Sequence, residues 1–226
     1  MKLKHDDPEY ISAMKLLMLG DWDKAEDAFL KLAETYSESA FIQLALGNIA
    51  YSRGKLDVSA EYYDTAIGLK PDFSTAYYKK GVCLYRMGLL ENSLETFKKI
   101  LTFPNQSHAM ASYFIGLINN FLGRDDEAVD AFAELRQTSP ESKIANFYMA
   151  QLLYKQHNFD KAIELLSELL DVAPQFAEVQ FQMGKTLLAK HKNFEAIKYY
   201  KKALELNPSD NRAKSALELL TDVQWP

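Results

Sequence analysis

A chain of 226 residues with 26 Lys and Arg against 31 Asp and Glu carries a formal net charge of −5. That is the wrong sign for a partner whose phosphates must be neutralised, and it argues against nucleic acid. The 48% hydrophobic content is ample for a core, and the lone Cys83 excludes an internal disulfide and fits a reducing compartment. At the start of the chain Asp6, Asp7 and Pro8 stand where a signal sequence needs its apolar stretch, and the run Met14 to Leu19 is broken by Lys15. No stretch reaches the roughly 20 apolar residues of a membrane span. A soluble cytoplasmic protein is expected, with a peripheral place on a membrane or a large complex as the alternative.

Small residues then recur down the chain at Ala13, Gly47, Gly81, Gly116, Ala150 and Gly184, in steps of 34, 34, 35, 34 and 34. A second series, Ala25, Ser59, Ser93, Ala128, Ala162 and Ala196, trails the first by twelve in every copy. A period of this length marks one supersecondary unit stacked on its neighbours. It divides the chain into repeats of about 6–39, 40–73, 74–108, 109–142, 143–176 and 177–210, one array over 1–226 with no linker.

The first repeat opens on Pro8, Tyr10, Ile11 and Met14 with no polar cap before them, turns at Gly20 and ends at Ser37. In the second, Phe41, Leu44, Ala45, Ile49 and Ala50 follow helical spacing over 41–52. Gly47 lies inside that helix, where glycine costs about 1 kcal/mol relative to alanine. Its recurrence therefore points to close approach of a second helix, with Ser59 facing it. Gly54 supplies a left-handed helix stop. The second helix carries Leu56, Ala60, Tyr63, Ala66, Ile67 and Leu69, and Pro71 closes the unit. Later repeats follow the same grammar, with turn residues Gly88, Gly123, His157 and His191 and closing prolines Pro104, Pro140, Pro174 and Pro208. A large residue stands four after the second small one: Phe29, Tyr63, Phe97, Phe132, Leu166 and Tyr200. After Pro208 a capping helix is expected over about 211–221, with Ala213, Ala216, Leu217 and Leu220 on one stripe, and the Val223–Pro226 tail packing on it or fraying.

From about Asp6 to Leu220 these residues resemble the tetratricopeptide repeat family. The clearest copy runs Ala76-Tyr77-Tyr78-Lys79-Lys80-Gly81-Val82-Cys83-Leu84-Tyr85 and continues to Ser93 and Phe97; the last, Ala196 to Pro208, is close behind. It departs from the family in having Tyr77 or a polar residue where the family has tryptophan, and Lys80 where it prefers leucine. The resemblance implies an all-α fold, a right-handed superhelical solenoid of antiparallel helix pairs whose first helices line a concave groove. Residues three before the small one (Tyr10, Leu44, Tyr78, Tyr113, Phe147, Phe181) and four after it (Leu17, Tyr51, Tyr85, Asn120, Tyr154, Leu188) are then expected to face that groove, seven apart and so on one helical face. Gln151 joins them. The fourth repeat is apolar on nearly every face, and Met110, Tyr113, Leu117 and Phe121 are expected to form the most hydrophobic patch of the groove.

The family's clamp for chaperone C-terminal tails is matched only by Asn48 and Lys79, and Asp7, Phe41, Thr75, Met110, Ile144 and Glu178 leave its lysine places empty. A chaperone tail is not expected, for want of charge-assisted donors. His157 and His191 are read as turn residues and not as metal ligands. Cys83 is read as a small core residue. Lys185, Lys190, Lys192, Lys198, Lys201 and Lys202, opposed only by Glu195, are read first as a solvated face and second as a surface for an acidic protein or an anionic membrane. Asp125, Asp126 and Glu127 suit a helix N-terminus. No phosphate loop or hydrolase motif is present, and neither catalysis nor a cofactor is expected. The expectation is a non-catalytic scaffold that binds a peptide segment or partner protein in an aromatic groove. Its alternative is a structural protein that self-assembles through its repeat ends into a platform or coat.

Overall fold

The computed structural model describes Leu3 and residues 7–104 and 108–221. Everything regular among them is α-helix: α1 (Pro8–Met18), α2 (Trp22–Thr35), α3 (Ala40–Ser52), α4 (Leu56–Leu69), α5 (Ser74–Arg86), α6 (Leu90–Leu101), α7 (Ala109–Phe121), α8 (Asp125–Thr138), α9 (Ile144–Lys155), α10 (Phe159–Val172), α11 (Ala177–Ala189), α12 (Asn193–Leu206) and α13 (Asn211–Thr221). They group into two compact units, residues 1–115 and 116–226, with the boundary inside α7.

Each odd-numbered helix up to α11 is turned back by one device. After α3 the Gly54 amide donates to the Tyr51 carbonyl (3.0 Å) and the Lys55 amide to the Ala50 carbonyl (2.9 Å), which satisfies carbonyls the helix end would leave orphaned. The same pair of bonds recurs at Gly20, Gly88, Gly123, His157 and His191. The residue carrying them must be left-handed, and φ is +75° to +76° at the four glycines and 59° and 60° at the two histidines. A Cβ on residue 88 would meet nothing within 4 Å. Gly88→Ala is therefore expected to destabilise by about 1 kcal/mol through backbone strain alone, read as a fall in the urea midpoint. No change would mean that the turn relaxes.

The even-numbered helices end differently. Lys70, Ser139, Ala173 and Asn207 sit at φ near −140° just before a proline, where the pyrrolidine ring excludes helical backbone from its predecessor.

Between the two helices of a pair, glycine makes room for a ring. A Cβ on Gly47 would lie 2.5 Å from Tyr63, one on Gly81 2.7 Å from Phe97, one on Gly116 2.7 Å from Phe132 and one on Gly184 3.0 Å from Tyr200. Ser59 faces Gly47 as expected, and its buried hydroxyl donates to the Gly47 carbonyl (2.9 Å); Ser93 does the same to Gly81 (2.8 Å). Yet the close approach that excludes a side chain is that of the aromatic four residues later. Leu69, at the end of α4, is 38% exposed.

In the first unit one cluster joins Ala13, Phe29, Ile42, Leu46 and Ile49, and another joins Ala40, Ala66, Phe73 and Ala76. In the second, Ala150, Leu166, Met183, Tyr200 and Ala213 belong to a cluster on which Ala216, Leu217 and Leu220 of α13 pack. The capping helix thus forms with the stripe the sequence shows. Val223 to Pro226 lie outside the described residues.

Candidate binding faces on the first helices

In the first unit, α3 buries Ala40, Ile42, Ala45, Leu46, Gly47, Ile49 and Ala50 and leaves Phe41, Leu44, Asn48, Tyr51 and Ser52 partly open. On α5, Ala76, Gly81, Cys83 and Leu84 are buried, while Thr75, Tyr78, Lys79, Val82, Tyr85 and Arg86 share a stripe at helical spacing. The Arg86 guanidinium lies over the Tyr51 ring, 4.5 Å from its centroid, and ties the two stripes together. Tyr78 meets Phe97 and Phe114 edge-on at 6.0 Å, and Tyr85 meets Phe114 at 5.7 Å. These tyrosines are therefore held by rings beneath them and remain half-buried at their outer edges. Burial pushes the Tyr78 hydroxyl up from its ordinary value. A cleft of about 290 Å³ opens beside Tyr78, lined by Ser74, Thr75, Ile100, Met110 and Ala111. Met110 is 51% exposed, and Tyr113 is half-buried against Phe114.

In the second unit Leu117 and Asn120 are half-buried and Phe121 is 76% exposed. On α9, Phe147 packs near Phe176 (6.1 Å), Gln151 is half-buried, and Tyr154 lies under the Lys185 ammonium, 4.4 Å from its ring centroid. Phe181 departs from the rest of the set. It is only 9% exposed, packed on Tyr200 at 5.7 Å and covered by the Arg212 guanidinium at 4.4 Å. A side chain from α13 thus closes the place that position would otherwise offer.

Sequence reasoning passed over Arg86, five residues after the small residue of its helix. It also passed over Phe114 and Tyr148, which stack nearly parallel on Phe97 (4.8 Å) and Phe132 (5.0 Å). The signal was present as an aromatic two residues before Gly116 and before Ala150.

The groups with chemical potential lie elsewhere. Cys83 is fully buried, its thiol points at the Leu56 carbonyl at 3.2 Å, and burial pushes its pKa up, so it stays protonated. His157 packs edge-on against Phe159. Among the described residues no group of three His, Cys, Asp or Glu is placed to hold a metal. The lysine cluster is less one-sided than it reads: Lys190 pairs with Asp160 of α10, Lys192 with Glu195 and Lys202 with Glu205. No helix among the described residues is long and apolar enough to cross a membrane.

Models of the tetratricopeptide repeat (TPR) match residues 44–107, 123–190 and 177–210. The chain belongs to the TPR family. A TPR repeat-containing protein of Methanocaldococcus jannaschii is 29% identical to it over 124 residues, 54% of this chain and 38% of that protein. The chain thus matches well under half the length of that relative. Among solved structures, YrrB superposes with a TM-score of 0.74 at 21% identity, over 84% of this chain and 98% of its own. PilF of Pseudomonas aeruginosa gives 0.76 at 16% identity, over 92% and 95%, and MamA gives 0.70 at 24%, over 78% and 96%. At these identities the likeness is one of TPR fold.

Proposed function

We propose that this TPR chain is a non-catalytic scaffold that holds a segment of a partner protein on the open faces of its first helices. The observation that carries the reading is the first-unit face: three half-buried tyrosines, Tyr51, Tyr78 and Tyr85, and a cleft beside Tyr78 with Met110 half exposed at its rim. Rings anchored from below give large contact area for little entropy loss, the composition typical of binding hot spots. YrrB, similar in fold, is a TPR protein with an unusual peptide-binding site, which supports the reading by analogy. The set continues on the second unit with Leu117, Asn120, Phe121, Phe147, Gln151 and Tyr154.

The test is affinity capture from native lysate with the wild type beside a Tyr51→Ala, Tyr85→Ala, Met110→Ala variant, with helicity checked by circular dichroism. Loss of hot-spot rings is expected to weaken the captured partner by about thirtyfold, equivalent to about 2 kcal/mol. A folded variant that captures the same protein equally well would sink the proposal.

A second reading, self-assembly into a platform, rests on one observation. Met18 and Leu19, adjacent at the end of α1, are each 82% exposed beside Trp22 at 36%. Light scattering across a concentration series decides it, and a strict monomer at high concentration removes it.

A further inference from the structure

The cations on the first helices are paired to different extents. In the second unit Lys155 donates to Asn120 (2.9 Å) and pairs with Asp125 (3.4 Å), and Arg212 pairs with Glu178 (2.6 Å). Lys155 and Arg212 are thus answered by acids of their own unit, while Lys185 of α11 lies over the Tyr154 ring. In the first unit α3 carries no charged residue, and α5 carries Lys79, Lys80 and Arg86 with no acid. Lys80 points away to Asp64 of α4. Neither Lys79 nor Arg86 has a carboxylate within ion-pairing distance among the described residues; Arg86 has the Tyr51 ring instead. Both lie on the stripe that holds Tyr78 and Tyr85. Most acids of this unit, Asp23, Glu26, Asp57, Glu61 and Glu95 among them, belong to the second helices α2, α4 and α6, while Glu9 lies on α1 and Glu38 and Asp72 in the connections.

We propose that the first unit binds an acidic, extended protein segment, in which two carboxylates meet Lys79 and Arg86 and an apolar side chain enters the cleft between Tyr78 and Met110. The proposal rests on the reading of this face as a protein-binding surface and names the chemistry of what it takes. The spacing of the two cations chooses between ligands. Seven residues of helix put them about 10 Å apart along the axis, and Arg86 is held over the Tyr51 ring, so two carboxylates a similar distance apart answer the pair without bending either side chain toward the other. In a polyproline-II chain, residues i and i+3 lie on one side about 9 Å apart, which matches. Arg86 stacked on Tyr51 keeps its guanidinium edge free for a bidentate bond to a carboxylate. Tyrosine faces with a small apolar cleft are what such a preformed, low-entropy segment docks against. The net charge of −5 does not oppose this, because acids on the second helices are screened beyond about 8–10 Å at ordinary salt. Lys70, at the end of α4 and over the Phe41 and Phe73 rings at 5.4 and 4.9 Å, adds a third cation, but its cleft also holds Glu38.

The experiment pans a random peptide library displayed on phage against the full chain at about 50 mM salt, then measures the enriched peptides as synthetic, capped molecules. Expected are peptides with acidic residues three apart near an apolar one. Their affinity should fall about tenfold or more for a Lys79→Glu, Arg86→Glu variant of unchanged helicity, and fall again at about 300 mM salt. Retention by Lys79→Arg separates loss of charge from loss of packing. Enriched peptides that are neutral or basic, or acidic ones indifferent to both charge reversals, overturn this proposal and leave the binding reading standing. No enrichment at all overturns both. Displacement of an acidic peptide by oligouridylate at equal concentration would reassign the face to nucleic acid.

Discussion

Phe97→Ala is expected to destabilise the chain by about 3–5 kcal/mol, the range for deleting a fully buried aromatic. The ring is 0% exposed, seated on the bare backbone of Gly81 and stacked on Phe114 at 4.8 Å with an interplanar angle of 5°. Tyr78 meets it edge-on. When the ring goes, no side chain at residue 81 can fill the hole, and the stacked face of Phe114 loses its partner. Urea denaturation followed by helical circular dichroism should show an earlier transition, with the first unit separating from the second if the two unfold independently. A loss under about 1 kcal/mol would show that α5 and α6 collapse onto one another, and that the ring is filler and not the spacer between them.

The parts of this structure that sequence makes legible are those in which one residue type has one physical use. Gly54 and Gly88 mark a left-handed turn, and Pro71 and Pro208 mark a helix that cannot continue. His157 and His191 occupy the glycine place because their register demands a positive φ, and the structure has it at both. Pairwise geometry is harder to read. The small residue at Gly47 signals close approach, but whether Ser59 or Tyr63 does the approaching depends on where a side chain four residues further on lays its ring. Phe181 has the register of an open position and is closed by Arg212, which comes from beyond the last repeat and obeys no period. The lysines of α11 and α12 look unanswered along the chain because Lys190 finds Asp160 thirty residues away. Charge compensation between neighbouring helices is a property of faces, and on the first unit it is the missing compensation at Lys79 and Arg86 that becomes informative.

Two chemically identical substitutions in helices of the first unit are expected to have opposite signs. Gly68 lies in α4 with nothing within 4 Å of a Cβ, so Gly68→Ala should stabilise by about 0.5–1 kcal/mol through backbone entropy and helix propensity. Gly81→Ala gains the same propensity but drives its methyl to 2.7 Å from Phe97 Cζ, and the ring cannot retreat because Phe114 is stacked behind it. Overpacking of about 1–3 kcal/mol should turn the gain into a net loss, and Gly81→Val should reach about 3 kcal/mol. The cause is isolated by pairing Gly81→Ala with Phe97→Leu, for which the double change should cost less than the sum of the singles. The chain already carries that combination at Ala150 and Leu166 in the core of the second unit. Ala13 with Phe29 is the instructive exception, since alanine and an aromatic coexist in one cluster of the first unit. Among the described residues α1 packs chiefly on α2, whereas α5 is held closely between α4 and α6. If Gly81→Ala proves as stabilising as Gly68→Ala, α5 has the same freedom as α1. The recurring glycine would then be a matter of helix spacing that the neighbours can readjust, and not of a ring with nowhere to go.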